Sequence, residues 1–124
     1  MKRFSEKYII TKEMDWEELG GGVSRKFLGY DNQIMMVRVK FDKGALGAPH
    51  QHFHTQATFC VSGKFEFEIN GEKKIVEAGD GVYIEPNLLH SAVCLEEGEL
   101  IDTFSPVRED FLSGDGVSYF GDKK

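Results

Sequence analysis

The sequence predicts an all-β fold, a single antiparallel barrel of jelly-roll type with at most a short helical turn, and three observations carry that prediction. Apolar and polar residues alternate with a period of two in successive short runs, turn signals return at regular spacing between the runs, and an Asn-Gly pair joins two alternating segments. Composition agrees: ten Phe, four Tyr, fourteen Gly and only three Pro suit short strands and tight turns. A length of 124 residues with 40% hydrophobic positions fits one modest core, so residues 1–124 are expected to form a single domain.

Along the chain, Asp15-Trp16-Glu17-Glu18 reads as a helical turn with a capping box, ended by Gly20-Gly21-Gly22. Strand patterns follow at Val23 to Tyr30 and Ile34 to Phe41, with Asp31-Asn32 between them. Met35, Val37, Val39 and Phe41 share one face of the second. A Gly-rich loop, Gly44 to Pro49, leads into a histidine cluster. Phe65, Phe67 and Ile69 then alternate with charged residues up to Asn70-Gly71, the preferred pair of a type I′ hairpin, and Lys73 to Glu77 returns. Further strands are expected at Gly81 to Glu85, His90 to Leu95 and Glu99 to Phe104, with a turn at Glu96-Glu97-Gly98 between the last two. Arg108 to Leu112 suits one helical turn, and the Gly- and Asp-rich end is a fraying segment that Tyr119-Phe120 could anchor.

The formal charge of −6 and the lack of any Lys/Arg cluster argue against a nucleic-acid partner. Tyr8-Ile9-Ile10 is too short for a membrane span or signal core, so a cytoplasmic protein without membrane attachment is expected. Cys60 and Cys94 lie in apolar runs and read as free buried thiols.

All four histidines fall in two places, His50-Gln51-His52-Phe53-His54 and His90. On a strand, residues two apart share a face, so His50 and His52 lie roughly 6.6 Å apart along the chain and their rings can converge on one ion. Gln56 has the same parity but would lie roughly 20 Å from His50 on a straight strand. If Gln56 is to join, the chain must bend at Phe53-His54-Thr55, which makes His54 the weakest ligand candidate. His90, opening a later strand, can complete the set from across a barrel. The competing reading of the cluster is an exposed loop of histidines.

Two spacings decide between them. Gly44-x5-His50-x-His52-x3-Gln56-x6-Gly63 resembles the first motif of the cupin superfamily, with Gln56 where most members carry Glu. Gly79-x5-Glu85-x-Asn87-x2-His90 resembles the second, with Glu85 and Asn87 in place of the usual Pro and Gly. The resemblance spans about residues 34–104 and implies a double-stranded β-helix holding one divalent metal ion on His50, His52, Gln56 and His90. Three imidazoles and an amide are neutral ligands, which suits a Lewis-acid site, and zinc, nickel, manganese and iron all remain open.

Asp102 shares a face with Leu100 and Phe104. If that face is interior, Asp102 is a general acid/base candidate that needs a partner such as Arg108 or the metal; if it faces solvent, the placement carries no meaning. The runs His50 to Gln56 and Leu100 to Leu112, the latter with Asp102-x-Phe104-x3-Arg108 followed by Glu109-Asp110-Phe111, resemble the KdgF-type pectin-degradation cupins. That resemblance implies conversion of 4,5-unsaturated monouronates, released by pectin or alginate lyases, into linear keto-uronates. Asp102, Phe104 and Arg108 would be the functional residues and an anionic sugar the substrate. Two other readings stay open: a non-catalytic metal-dependent binder of a small anion or sugar acid, and a cupin-type oxygenase. A homodimer is also expected, by analogy with cupins and because Tyr8-Ile9-Ile10 reads as a short strand able to pair with another subunit's edge.

Overall fold

The computed structural model describes residues 1–113, so the readings made for the terminal segment, Tyr119 and Phe120 included, lie outside the described residues. Eight strands, β1 (Glu17–Gly20), β2 (Val23–Tyr30), β3 (Met35–Phe41), β4 (Leu46–His50), β5 (Thr55–Ile69), β6 (Glu72–Glu77), β7 (Gly81–Ile84) and β8 (His90–Ser105), precede one helical turn, α1 (Glu109–Leu112). Every pairing is antiparallel.

The long strands β5 and β8 pair along nearly their whole length and contribute to both walls of the barrel. The first half of β5 and the second half of β8 join β7 on one side and β3, β2 and β1 on the other. Their remaining halves join β6 and β4. Where β5 and β8 change walls, Gly63 and Gly98 lie against one another. A Cβ on Gly63 would sit 2.6 Å from the Glu96 carbonyl oxygen, and one on Gly98 would run into the Ser62 carbonyl. Only glycine lets the two backbones approach this closely. The expected Glu96-Glu97-Gly98 turn is therefore a bend within a single strand, β8.

Alternation decides what the barrel buries. Met35, Val37, Val39 and Phe41 of β3 point inward, as their shared face predicts, and meet Cys60, Phe65, Leu100, Cys94 and Phe104 in the core. The Asn70-Gly71 hairpin holds, with φ of 50° and 89° at the two residues, as a type I′ turn requires. Both cysteines are free and buried.

Two local readings are corrected. Glu17 and Glu18 are the start of β1, not a helical turn, because they pair with Arg25 and Ser24 and the Glu17 carboxylate accepts from Arg25 Nε at 2.9 Å. Ladder and ion pair outweigh the local capping pattern, and the only 3₁₀ turn among the described residues falls earlier, at Thr11–Glu13. Tyr8-Ile9-Ile10 forms no strand. The N-terminal segment is tied instead to the outside of β2, through the Ser5 amide on the Tyr30 carbonyl and Lys26 Nζ on the Thr11 carbonyl.

Candidate metal centre

The three ends that carry the site are set by ordinary strand geometry. His50 closes β4, His90 opens β8, and the two residues are directly paired across the ladder. His52 sits in the connection to β5, which bends at Phe53-His54 as the spacing requires and brings Gln56 back to the same end of the barrel. The amide of Asn87 donates to the His52 carbonyl at 2.7 Å, which fastens the two histidine segments together. Asn87 has φ of 68°, so it fills a glycine position of the second motif with the residue best able to adopt left-handed geometry.

His50 and His90 each donate Nδ1–H to a backbone carbonyl two residues earlier, Ala48 at 2.8 Å and Leu88 at 2.9 Å. A carbonyl only accepts, so the proton sits on Nδ1 and the lone pair of each ring is on Nε2. Ligand atoms of His50, His52 and His90 lie within 4.8 Å of one another, and the His50 and His90 rings are 4.4 Å apart. His90 Nε2 is buried without a hydrogen-bond partner.

His52 shows what this arrangement fits. Its Nδ1 faces the His54 carbonyl at 3.1 Å and its Nε2 faces Gln56 Oε1 at 3.0 Å, so both ring nitrogens meet acceptors. Gln56 presents oxygen there because its NH2 donates to Thr58 Oγ1 at 2.9 Å and, more weakly, to Asp102 Oδ1 at 3.4 Å. Burial, reinforced by the nearby Arg108 charge, pushes the His52 pKa down to about 4, and burial does the same for His50, so the rings are neutral at pH 7. A neutral ring has one N–H for two acceptors. A cation drawing on His52 Nε2, Gln56 Oε1 and the lone pairs of His50 and His90 resolves the conflict, and the histidine triad is positioned for metal binding.

His54 lies outside the triad, buried and stacked on Phe53 with ring centroids 4.0 Å apart. Asp102 is interior, 4% exposed, with its neighbours on that face, Leu100 and Phe104, also buried. Thr58 Oγ1 donates to Asp102 Oδ1 at 2.7 Å, so one hydroxyl links the Gln56 amide to the carboxylate. Arg108, 4% exposed, has its guanidinium over the Phe104 and Phe111 rings, at 4.9 and 4.3 Å, and donates to both carboxylate oxygens of Asp110.

One cavity is lined by His50, Gln56, His90, Asp102, Phe104 and Arg108, with Phe41, Phe67 and Leu100 among its apolar walls. The lining, apolar walls with a few converging polar groups, suits a small ligand. Sequence reasoning missed Thr58 and Asp110. Thr58 is two residues beyond Gln56 and therefore on its face, a signal that periodicity carries, whereas the role of Asp110 depends on where Arg108 folds.

The Cupin domain family model matches residues 37–104. The pectin degradation protein KdgF of Dickeya dadantii (strain 3937) is 49% identical over 108 residues, which cover 86% of this chain and 98% of that protein. An RmlC-like cupin from Shewanella frigidimarina NCIMB 400 superposes with a TM-score of 0.87 at 42% identity, covering 89% of this chain and 99% of the other. KdgF from Halomonas sp. superposes with a TM-score of 0.83 at 40% identity, covering 86% and 99%. With two histidine motifs meeting at one end of a β-barrel and likeness along most of its length, the chain belongs to the cupin family, and within it to the KdgF type.

Proposed function

We propose that this protein acts in pectin degradation as a metal-dependent enzyme that converts 4,5-unsaturated monouronates into linear keto-uronates. The observation that carries the reading is the convergence of a metal-ligand triad, a buried carboxylate and a buried guanidinium on one cavity. The 49% identical relative named a pectin degradation protein supports the pectin-degradation part of the reading.

His50, His52 and His90, with Gln56 Oε1, would hold one divalent ion, for which zinc, nickel, manganese and iron are all chemically suitable. When bound, the ion supplies a positive charge that polarises sugar oxygens. Arg108 binds the substrate carboxylate, and its guanidinium is already held against the Phe104 and Phe111 rings and by Asp110, so little ordering is needed on binding. Phe104 offers an apolar wall to the sugar ring. Asp102 takes the proton of the anomeric hydroxyl as the ring C–O bond breaks, and a proton is returned to the alkene carbon as the enol becomes a ketone. Reactant and product are isomers, so no oxidant or water is consumed. Thr58 steadies Asp102 by donating to Oδ1, which leaves the carboxylate aimed by a fixed hydrogen bond.

The test follows the conjugated ultraviolet absorbance of a lyase-generated unsaturated monouronate. Decay well above the buffer rate with metal-loaded protein, abolished by chelation and restored by added metal, supports the proposal. Decay at the buffer rate with metal-loaded protein removes it.

A further inference from the structure

The four residues that meet at the metal centre are not held in the same way. His50, His52 and His90 turn Nδ1 to the main-chain carbonyls of Ala48, His54 and Leu88, acceptors that side-chain replacement elsewhere leaves in place. On its side away from His52, the Gln56 amide meets side chains instead, Thr58 Oγ1 at 2.9 Å and Asp102 Oδ1 at 3.4 Å. An amide has an oxygen end and an NH2 end, and the oxygen is the one that serves a cation. Which end looks toward His52 depends on what holds the other.

One hydroxyl proton decides it. Thr58 Oγ1 gives its proton to Asp102 Oδ1 at 2.7 Å, so toward Gln56 it can only accept. The Gln56 NH2 must then face Thr58, which leaves Oε1 beside His52 Nε2 at 3.0 Å. Strand geometry makes this chain rigid. Gln56 and Thr58 are two apart on the inward face of β5, and Thr58 is paired with Asp102 of β8 on one side and Val82 of β7 on the other. Gln56, Thr58 and Asp102 are only 4–6% exposed, so bulk water does not compete for these contacts.

We infer that Thr58 is a positioning residue for the metal: it fixes Gln56 as an oxygen ligand and thereby sets how tightly the ion is held. The inference rests on the metal centre of the proposed function and adds to it a residue outside the ligand set. Without the hydroxyl, Gln56 Nε2 keeps only its long contact to Asp102, and the amide is free to turn about its last side-chain bond. The hydrogen-bond chain also ends on a carboxylate, which polarises the Gln56 oxygen toward a cation that the ligands themselves, all neutral, do not offset. Loss of an outer partner of this kind typically weakens metal binding roughly 10–100-fold.

The test is calorimetric titration of the chelator-stripped full chain with zinc and, separately, nickel, ions that bind nitrogen and oxygen donors tightly. Thr58→Val keeps the shape of the side chain and removes the hydroxyl, and Thr58→Ala removes it with less bulk. The expected result is a Kd at least about tenfold weaker than wild type in both variants, with Thr58→Ser close to wild type and the circular dichroism of all the metal-free proteins alike. Wild-type affinity in Thr58→Val or Thr58→Ala overturns the inference, as does an equal weakening in Thr58→Ser, which would trace the effect to packing and not to the hydroxyl. Wild-type protein that takes up neither ion removes the metal centre itself, so that failure is told apart from failure of the role given to Thr58. Turnover is not the readout, so the outcome is independent of the proposed reaction.

Discussion

Arg108 and Asp110 form a side-on pair, Nε to Oδ1 at 3.1 Å and Nη2 to Oδ2 at 2.9 Å, that turns the rest of the guanidinium toward the cavity. A guanidinium has two bidentate edges, and the edge given to Asp110 leaves the end of the fork to face a ligand carboxylate. Asp110 is thus a positioning residue for Arg108. Replacing Asp110 by Asn keeps the shape and removes a charge-assisted pair, a loss on the order of 1–2 kcal/mol. The expected outcome is a KM for the unsaturated uronate raised by roughly tenfold with kcat far less affected. A fall in kcat at unchanged KM would contradict this role.

The histidine environment fixes a pH dependence. His50 and His52 have pKa values pushed down to about 4 by desolvation, against an ordinary value near 6.5 in the unfolded chain. Between those values the unfolded chain binds more protons, so the metal-free protein keeps this stability above about pH 6.5 and loses it as pH falls toward 4. Melting temperature in chelator is expected to drop from pH 6.5 to 5, a window above most carboxylate titrations. The drop should be smaller in His50→Gln. An equal drop in both proteins would show that these rings do not carry the dependence.

Gly98 tests the crossing of β5 and β8. A methyl group there meets the Ser62 backbone, which cannot swing aside as a side-chain tip could. Gly98→Ala is expected to cost more than about 3 kcal/mol, the range of severe steric lesions. Denaturant unfolding measures it, and a cost below about 1 kcal/mol would mean that the walls separate without loss.

The same crossing shows where the sequence could be read and where it could not. Alternation placed Met35, Val37, Val39 and Phe41 in the core, and the bend at Phe53-His54 followed from the reach needed by Gln56. Both depend only on local period and distance. Period two could not tell which face of β8 was interior, so the site of Asp102 stayed open until the pairing with Val37 and Thr58 settled it. Glu96-Glu97-Gly98 has the composition of a turn, yet its glycine serves a backbone contact from a strand more than thirty residues away in sequence. The Glu17–Arg25 and Arg108–Asp110 pairs likewise arise from tertiary placement that local pattern does not encode.

The central claim is that one cavity joins a metal held by His50, His52, Gln56 and His90 to proton transfer by Asp102. The most direct measurement is metal content and turnover of the unsaturated monouronate on the same samples of wild type and Asp102→Asn. The account predicts about one divalent ion per chain in both, with turnover reduced at least a hundredfold in the variant, the usual scale of a lost general acid/base. Equal turnover in wild type and variant, at equal metal content, would contradict it.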